Sequence, residues 1–134
     1  MSNKWDYKIE LEDIRVFDRL ATHYDASIPE ELKVFVIFAN ASSPESNLID
    51  LNGVERVFEK VLSFNEIEPD AISIFSILKN DSNKTAIPFG LDPFGNVFYC
   101  SLINGKVIFY LHEEDRYEET NYTLSQFISN LYKS

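Results

Sequence analysis

The stretch VFYCSLINGKVIFYLH, residues Val97 to His112, sets two runs rich in β-branched and aromatic residues around an Asn104-Gly105 pair. Asn-Gly between such runs is a strong hairpin signal, because a type I′ turn needs positive φ at both central residues. Counting outward from that turn places Leu102 opposite Val107, Cys100 opposite Phe109 and Phe98 opposite Leu111 on one side of a sheet. The other side sets Ser101 with Ile108, Tyr99 with Tyr110 and Val97 with His112. One face is then wholly apolar and suited to receive helices, while the other is amphipathic and rich in tyrosine.

Just upstream, AIPFGLDPFGN carries the triplet Pro-Phe-Gly twice. A phosphate-cradling loop is excluded, since the stretch lacks the lysine and close glycine spacing that such loops need, and the whole chain has Gly 4. Pro88 and Gly90 instead end a short strand, and DPFGN supplies a turn in which Pro93 presets φ and Gly95 takes positive values. Phe89 and Phe94 are expected to plug the core at the sheet edge.

Helices are read from three-and-four spacing. Residues 11–24 line up Leu11, Ile14, Phe17, Leu20, Ala21 and Tyr24. From Pro29 to about Asn40, Glu30 and Glu31 suit the first turn and Leu32, Phe35, Val36 and Ala39 form the stripe. Leu48 to Leu51 reads as a brief strand or a loop. Val54 to Phe64 reads as a strand, with a helix as the alternative. A helix capped by Asp70 is expected to bury Ile72, Phe75 and Leu78. Thr123 and Gln126 form a capping box ahead of a closing helix with Leu124, Phe127, Ile128 and Leu131. Together these predict a single α+β domain over residues 1–134, with a central, mainly antiparallel β-sheet and helices packed on one face.

Composition narrows the function classes. The chain of 134 residues is 45% hydrophobic and 14% aromatic, which suits an ordered domain. No apolar run approaches the roughly 20 residues that span a bilayer, and the acidic N-terminus MSNKWDYKIELED does not read as a signal peptide, so a cytoplasmic location is expected. The lone Cys100 fits a reducing compartment and reads as a buried small hydrophobe rather than a nucleophile. With 22 acidic against 12 basic residues and a net charge of −10, direct nucleic-acid binding and anionic membranes are disfavoured as partners. His23 and His112 show no metal-ligand spacing, no serine nucleophile motif occurs, and no cofactor is expected. The chain does not read as an enzyme.

One charged feature stands out. LHEEDRYEETNY, Leu111 to Tyr122, groups Glu113, Glu114, Asp115, Glu118 and Glu119 around Arg116, with Tyr117 among them. Charge clusters are commonly plain solvated loops. The functional reading is an acidic, tyrosine-bearing patch for a basic partner, with Glu66, Glu68 and Asp70 as its extension.

Several quoted stretches resemble the SUKH superfamily, whose name derives partly from a yeast cell-wall-assembly regulator. EDIRVFDRLATHYDASIPEELKVFVIFANA is similar to its opening helix, Pro turn and second helix. IPFGLDPFGNVFYC resembles its "iPfg.D..Gn.f" signature, GKVIFYLHEED its following strand and acidic turn, and YTLSQFISNL its closing helix. The chain departs from the pattern at NASSPE, where members often carry consecutive glycines, and over residues 45–80. The resemblance implies an immunity protein that binds and neutralises a cognate toxin, often a nuclease, of a bacterial polymorphic toxin system. The alternative is a non-enzymatic regulatory or scaffolding protein-interaction module, as in eukaryotic members. A third reading is a small enzyme or ligand-binding domain using a cleft beside the tyrosine face.

Overall fold

In the computed structural model, which describes residues 3–134, the chain runs through thirteen elements. These are β1 (Trp5–Asp6), α1 (Val16–Tyr24), α2 (Glu30–Ala39), β2 (Ser43–Pro44), β3 (Leu48–Leu51), β4 (Val54–Val57), β5 (Lys60–Val61), α3 (Ile74–Leu78), β6 (Ala86–Leu91), β7 (Val97–Ser101), β8 (Lys106–Leu111), β9 (Arg116–Thr123) and α4 (Leu124–Ser129). The central sheet has five strands in the order β5-β6-β7-β8-β9, each antiparallel to its neighbour. Two small two-stranded sheets, β1-β2 and β3-β4, flank it. The expected α+β domain is what the chain forms.

The hairpin at Asn104-Gly105 is present, but its register is not the expected one. Phe98 pairs with Phe109, Tyr99 with Ile108 and Cys100 with Val107. Gly105 alone takes positive φ, at 73°, so the turn is not type I′. Ser101 widens the loop instead: its carbonyl accepts from the Gly105 amide at 3.0 Å. Its Oγ accepts from the amides of Ile103 and Asn104 at 3.1 and 3.3 Å. The shift is an even number of residues, so each side chain keeps the face that alternation assigned it.

Phe98 and Phe109 lie on the apolar face, their ring centroids 4.6 Å apart. α2 and α4 dock there: Phe35 meets Phe89 at 6.4 Å, and Phe127 meets Phe98 at 5.5 Å. Phe58 stands at the centre of this cluster, fully buried against Phe89, Phe98 and Phe127. A bulge between Pro88 and Gly90 turns Phe89 and Gly90 to the same face. The missing side chain of Gly90 is what lets the Phe58 ring approach, since a Cβ there would lie 2.1 Å from its Cε1.

The helices differ from expectation at their starts. α1 begins at Val16 rather than Leu11, because the Asp13 carboxylate accepts from both the backbone and the guanidinium of Arg15 and holds the chain in a turn. Ile14 is therefore exposed and Val16 takes its place in the core. α3 is capped by Ser73, whose Oγ accepts from the Phe75 amide at 3.1 Å, not by Asp70. That three-residue shift buries Ile74 and leaves Ile72 exposed. The capping box of α4 forms as expected, with both reciprocal bonds in place. Residues 54–64 hold no helix, but the single expected strand is split in two, β4 beside β3 in a small sheet and β5 beside β6 in the central one.

Candidate functional site

The acidic cluster occupies the turn between β8 and β9 and the first half of β9. Glu113, Glu114 and Asp115 are exposed at the turn, and Asp115 takes the left-handed conformation with φ 48°. That conformation, which aspartate tolerates better than most residues, accompanies a carboxylate turned back onto the sheet. Its Oδ1 accepts from the Tyr110 hydroxyl at 2.6 Å. This hydrogen bond to the neutral phenol pushes the Tyr110 pKa up to about 12.

Alternation along β9 then separates the remaining residues. Tyr117, opposite Tyr110, and Glu119, opposite Ile108, belong to the tyrosine face; Glu118, opposite Phe109, belongs to the other. There Glu118 is engaged by Arg56 at 3.4 Å and Arg116 at 3.0 Å, and Arg56 lies over the Phe109 ring. Arg116 also pairs with Glu114 at 3.0 Å. The free acidic surface is thus Glu113, Asp115 and Glu119, which have no ion-pair partner among the described residues.

Glu66, Glu68 and Asp70 do not extend this patch. They follow β5, at the opposite edge of the sheet from β9. Five strands at roughly 4.8 Å spacing put those edges about 19 Å apart. Their local roles differ too. Glu66 is ion-paired with Arg19. Glu68 accepts from Ser63 Oγ at 2.9 Å and Asn65 Nδ2 at 3.1 Å, within a network that ties Glu10 and Glu12 to the loop. Asp70 remains exposed.

Phe94 also departs from expectation. Rather than plugging the core it is 75% exposed, at the tip of the Asp92–Asn96 turn. Asp92 accepts from the amides of Phe94 and Asn96 at 2.9 and 2.8 Å and from Asn96 Nδ2 at 2.8 Å, closing a loop too tight to fold its central side chain inward. Asn96 Oδ1 in turn accepts from the His112 amide at 3.0 Å, and the His112 ring lies 2.9 Å from the Phe94 carbonyl. An exposed aromatic is thereby fastened beside the acidic turn, and Phe94, Glu113 and Glu114 line one small pocket of about 220 Å³. The bracketing Asp and Asn of DPFGN were the sequence signal for this.

On the tyrosine face, Tyr110 and Tyr117 stack with centroids 4.5 Å apart, and Tyr99 lies 5.9 Å from Tyr117. The Tyr99 hydroxyl donates to Asp81 Oδ2 at 2.8 Å. Burial, and then the nearby Asp81 carboxylate, push the Tyr99 phenol far above its ordinary range. These rings, Asp115, and the Ile77–Ser82 segment around the end of α3 bound a cleft of about 350 Å³.

A larger groove, about 750 Å³, runs between α2 and α4 over Trp5, Phe35, Phe38, Leu124 and Ile128. Here α2 exposes Val34, Ile37 and Phe38 on its outer side. The apolar run KVFVIFA, hydrophobic on every side of a helix, was the signal for this groove. Cys100 is buried and its thiol is pushed up to about 12, first by burial and then by Glu31, which disfavours the thiolate. No helix among the described residues is long and apolar enough to cross a membrane. Comparison of the chain with protein-family models and with curated proteins gives no match in either.

Proposed function

We propose that this chain is an immunity protein of a bacterial polymorphic toxin system, acting in the cytoplasm by binding and neutralising a cognate, basic toxin of the nuclease type. The observation that carries this reading is the β8–β9 turn. With the start of β9 it presents Glu113, Asp115 and Glu119, which have no ion-pair partner among the described residues, beside the exposed aromatic rings of Phe94 and Tyr117. Carboxylates steer a basic partner into encounter, and aromatic side chains supply the anchoring contact area once it docks. The net charge of −10 adds long-range attraction for a positively charged nuclease face. The resemblance to the SUKH superfamily supplies the class of partner.

The test is co-expression with the protein encoded by the adjacent reading frame. Growth is rescued by the native chain and lost on charge reversal of Glu113, Glu114 and Asp115, while the association rate falls steeply as salt rises. An adjacent protein with no toxicity, or rescue indifferent to the reversal, overturns the proposal. The second reading, a regulatory or scaffolding module with several partners, is favoured by the separate apolar groove between α2 and α4. A pull-down returning several partners that compete for that groove, and no toxin, decides for it.

A further inference from the structure

The cleft on the tyrosine face has an unbalanced charge. Two carboxylates line it, Asp81 from the loop after α3 and Asp115 from the β8–β9 turn, together with Tyr99, Tyr110 and Tyr117. No lysine, arginine or histidine lines it, and among the described residues neither carboxylate has an ion-pair partner. Each accepts a phenol hydrogen bond, from Tyr99 at 2.8 Å and Tyr110 at 2.6 Å. Asp81 also accepts from the Asn83 amide at 2.9 Å. Neutral donors satisfy lone pairs but leave both negative charges standing in a partly enclosed space.

The aromatic surroundings favour the same kind of guest. A cation within about 6 Å of a tyrosine ring is attracted by the negative face of its π-system, and the ring clusters here are 4.5 to 6.4 Å across centroid to centroid. Tyr117 is 44% exposed, so part of its ring is open to solvent at the mouth. The cleft, about 350 Å³, lies at the small end of the roughly 300–1,000 Å³ range of ligand clefts. A planar guanidinium stacks on an aromatic ring and offers two parallel donors to a carboxylate, which an ammonium does not.

We infer that this cleft takes the guanidinium of an arginine side chain from the partner protein, stacked on the tyrosines and hydrogen-bonded to Asp115 and Asp81. The inference rests on the proposed function for the partner being a basic protein. It adds to the acidic turn, which steers, an adjoining pocket that shares Asp115 with the turn and anchors one residue type.

The experiment is an NMR titration of the full chain with N-acetyl-arginine methylamide, its lysine counterpart and free arginine. The capped arginine gives saturable shifts at the amides of Ser82, Tyr99, Tyr110 and Tyr117. The lysine probe binds several-fold more weakly. Asp115→Asn weakens the arginine probe roughly tenfold, as loss of one charge-assisted hydrogen bond does. Asp115 lies on an exposed turn, so this variant keeps its fold, and Tyr117→Leu provides a second variant that removes a ring without touching a charge. Glu59→Gln, exposed at the opposite edge of the sheet, leaves probe binding unchanged.

Equal binding of the two probes, shifts confined to the acidic turn, or indifference to Asp115→Asn overturns the inference. Free arginine binding far more tightly than the capped form also overturns it, in favour of a free amino-acid ligand. If the probe fails while a basic toxin still binds the acidic turn, the pocket is wrong and the function stands. If the probe binds and the adjacent protein is no toxin, the function is wrong and the pocket stands.

Discussion

Gly90→Ala is the sharpest test of the packing. Gly90 pairs with Phe98 in the sheet and has no positive φ, so alanine is conformationally acceptable there and the cost is steric alone. An ideal Cβ would lie 2.1 Å from Phe58 Cε1, 2.7 Å from its Cζ and 3.2 Å from the Lys60 carbonyl oxygen. Phe58 has no room to retreat. It is 0% exposed, with Phe98 at 5.1 Å, Phe127 at 5.3 Å and Phe89 at 5.8 Å between ring centroids. Overpacking usually costs about 1–3 kcal/mol, and a ring held on three sides puts this site at the upper end, about 3 kcal/mol. With an unfolding entropy near 2.1 cal/mol/K per residue, the 134 residues give about 0.28 kcal/mol/K, so the melting temperature falls by about 10 °C. Thermal and urea unfolding measure it. Phe58→Leu removes the two ring atoms in conflict, so in that background the cost of Gly90→Ala shrinks by more than half, a coupling a double-mutant cycle isolates. Gly53→Ala is the contrast: nothing lies within 4 Å of its Cβ, but φ is +85°, and the cost is the conformational one of about 1–2 kcal/mol. A Gly90→Ala protein within about 0.5 kcal/mol of the native one would refute the reasoning.

Phe94→Ala changes unfolding free energy by less than about 0.5 kcal/mol, whereas Phe89→Ala, at 0% exposure, costs about 3–5 kcal/mol; the two measured side by side check that the twin triplets have opposite roles. Cys100, buried and with its thiol pushed up by that burial, stays unmodified by thiol reagents at pH 8 until denaturant is added. Burial raises the Glu68 pKa, but hydrogen bonds from Asn65, Ser63 and the Asp70 amide outweigh it and hold the carboxyl below its ordinary 4.5. A group depressed on folding stabilises above its unfolded pKa and loses that contribution as pH falls through the folded one. Native protein therefore loses stability below pH 4.5 that Glu68→Gln does not, and a difference between the two that is constant with pH contradicts this.

What could be read from the chain, and what could not, follows from the range of the interactions concerned. The apolar and tyrosine faces were legible because side-chain alternation is local, and it survived a register error: a shift of two residues preserves the face. The register itself was not legible, since Ser101 Oγ widened the loop and left Asn104 without the positive φ that Asn-Gly promises. The α4 cap lay within four residues and was read correctly; the α3 cap moved from Asp70 to Ser73 because Ser63 pairs across with this segment from a strand away.

The same division runs through the candidate site. Glu113 to Glu119 are contiguous and could be picked out as a cluster, but which of them keep a free charge depends on Arg56, more than fifty residues earlier, folding over Phe109 to reach Glu118. Asp81 has no sequence neighbour that marks it. It enters the tyrosine cleft because α3 ends beside β6 and turns its following loop over Tyr99, a placement set by tertiary contacts alone. A run of charge in the sequence therefore located the surface proposed to steer the partner. The residues that decide between arginine and lysine at close range are Asp81 and Asp115, 34 positions apart and joined only through the tyrosines that hydrogen-bond to each.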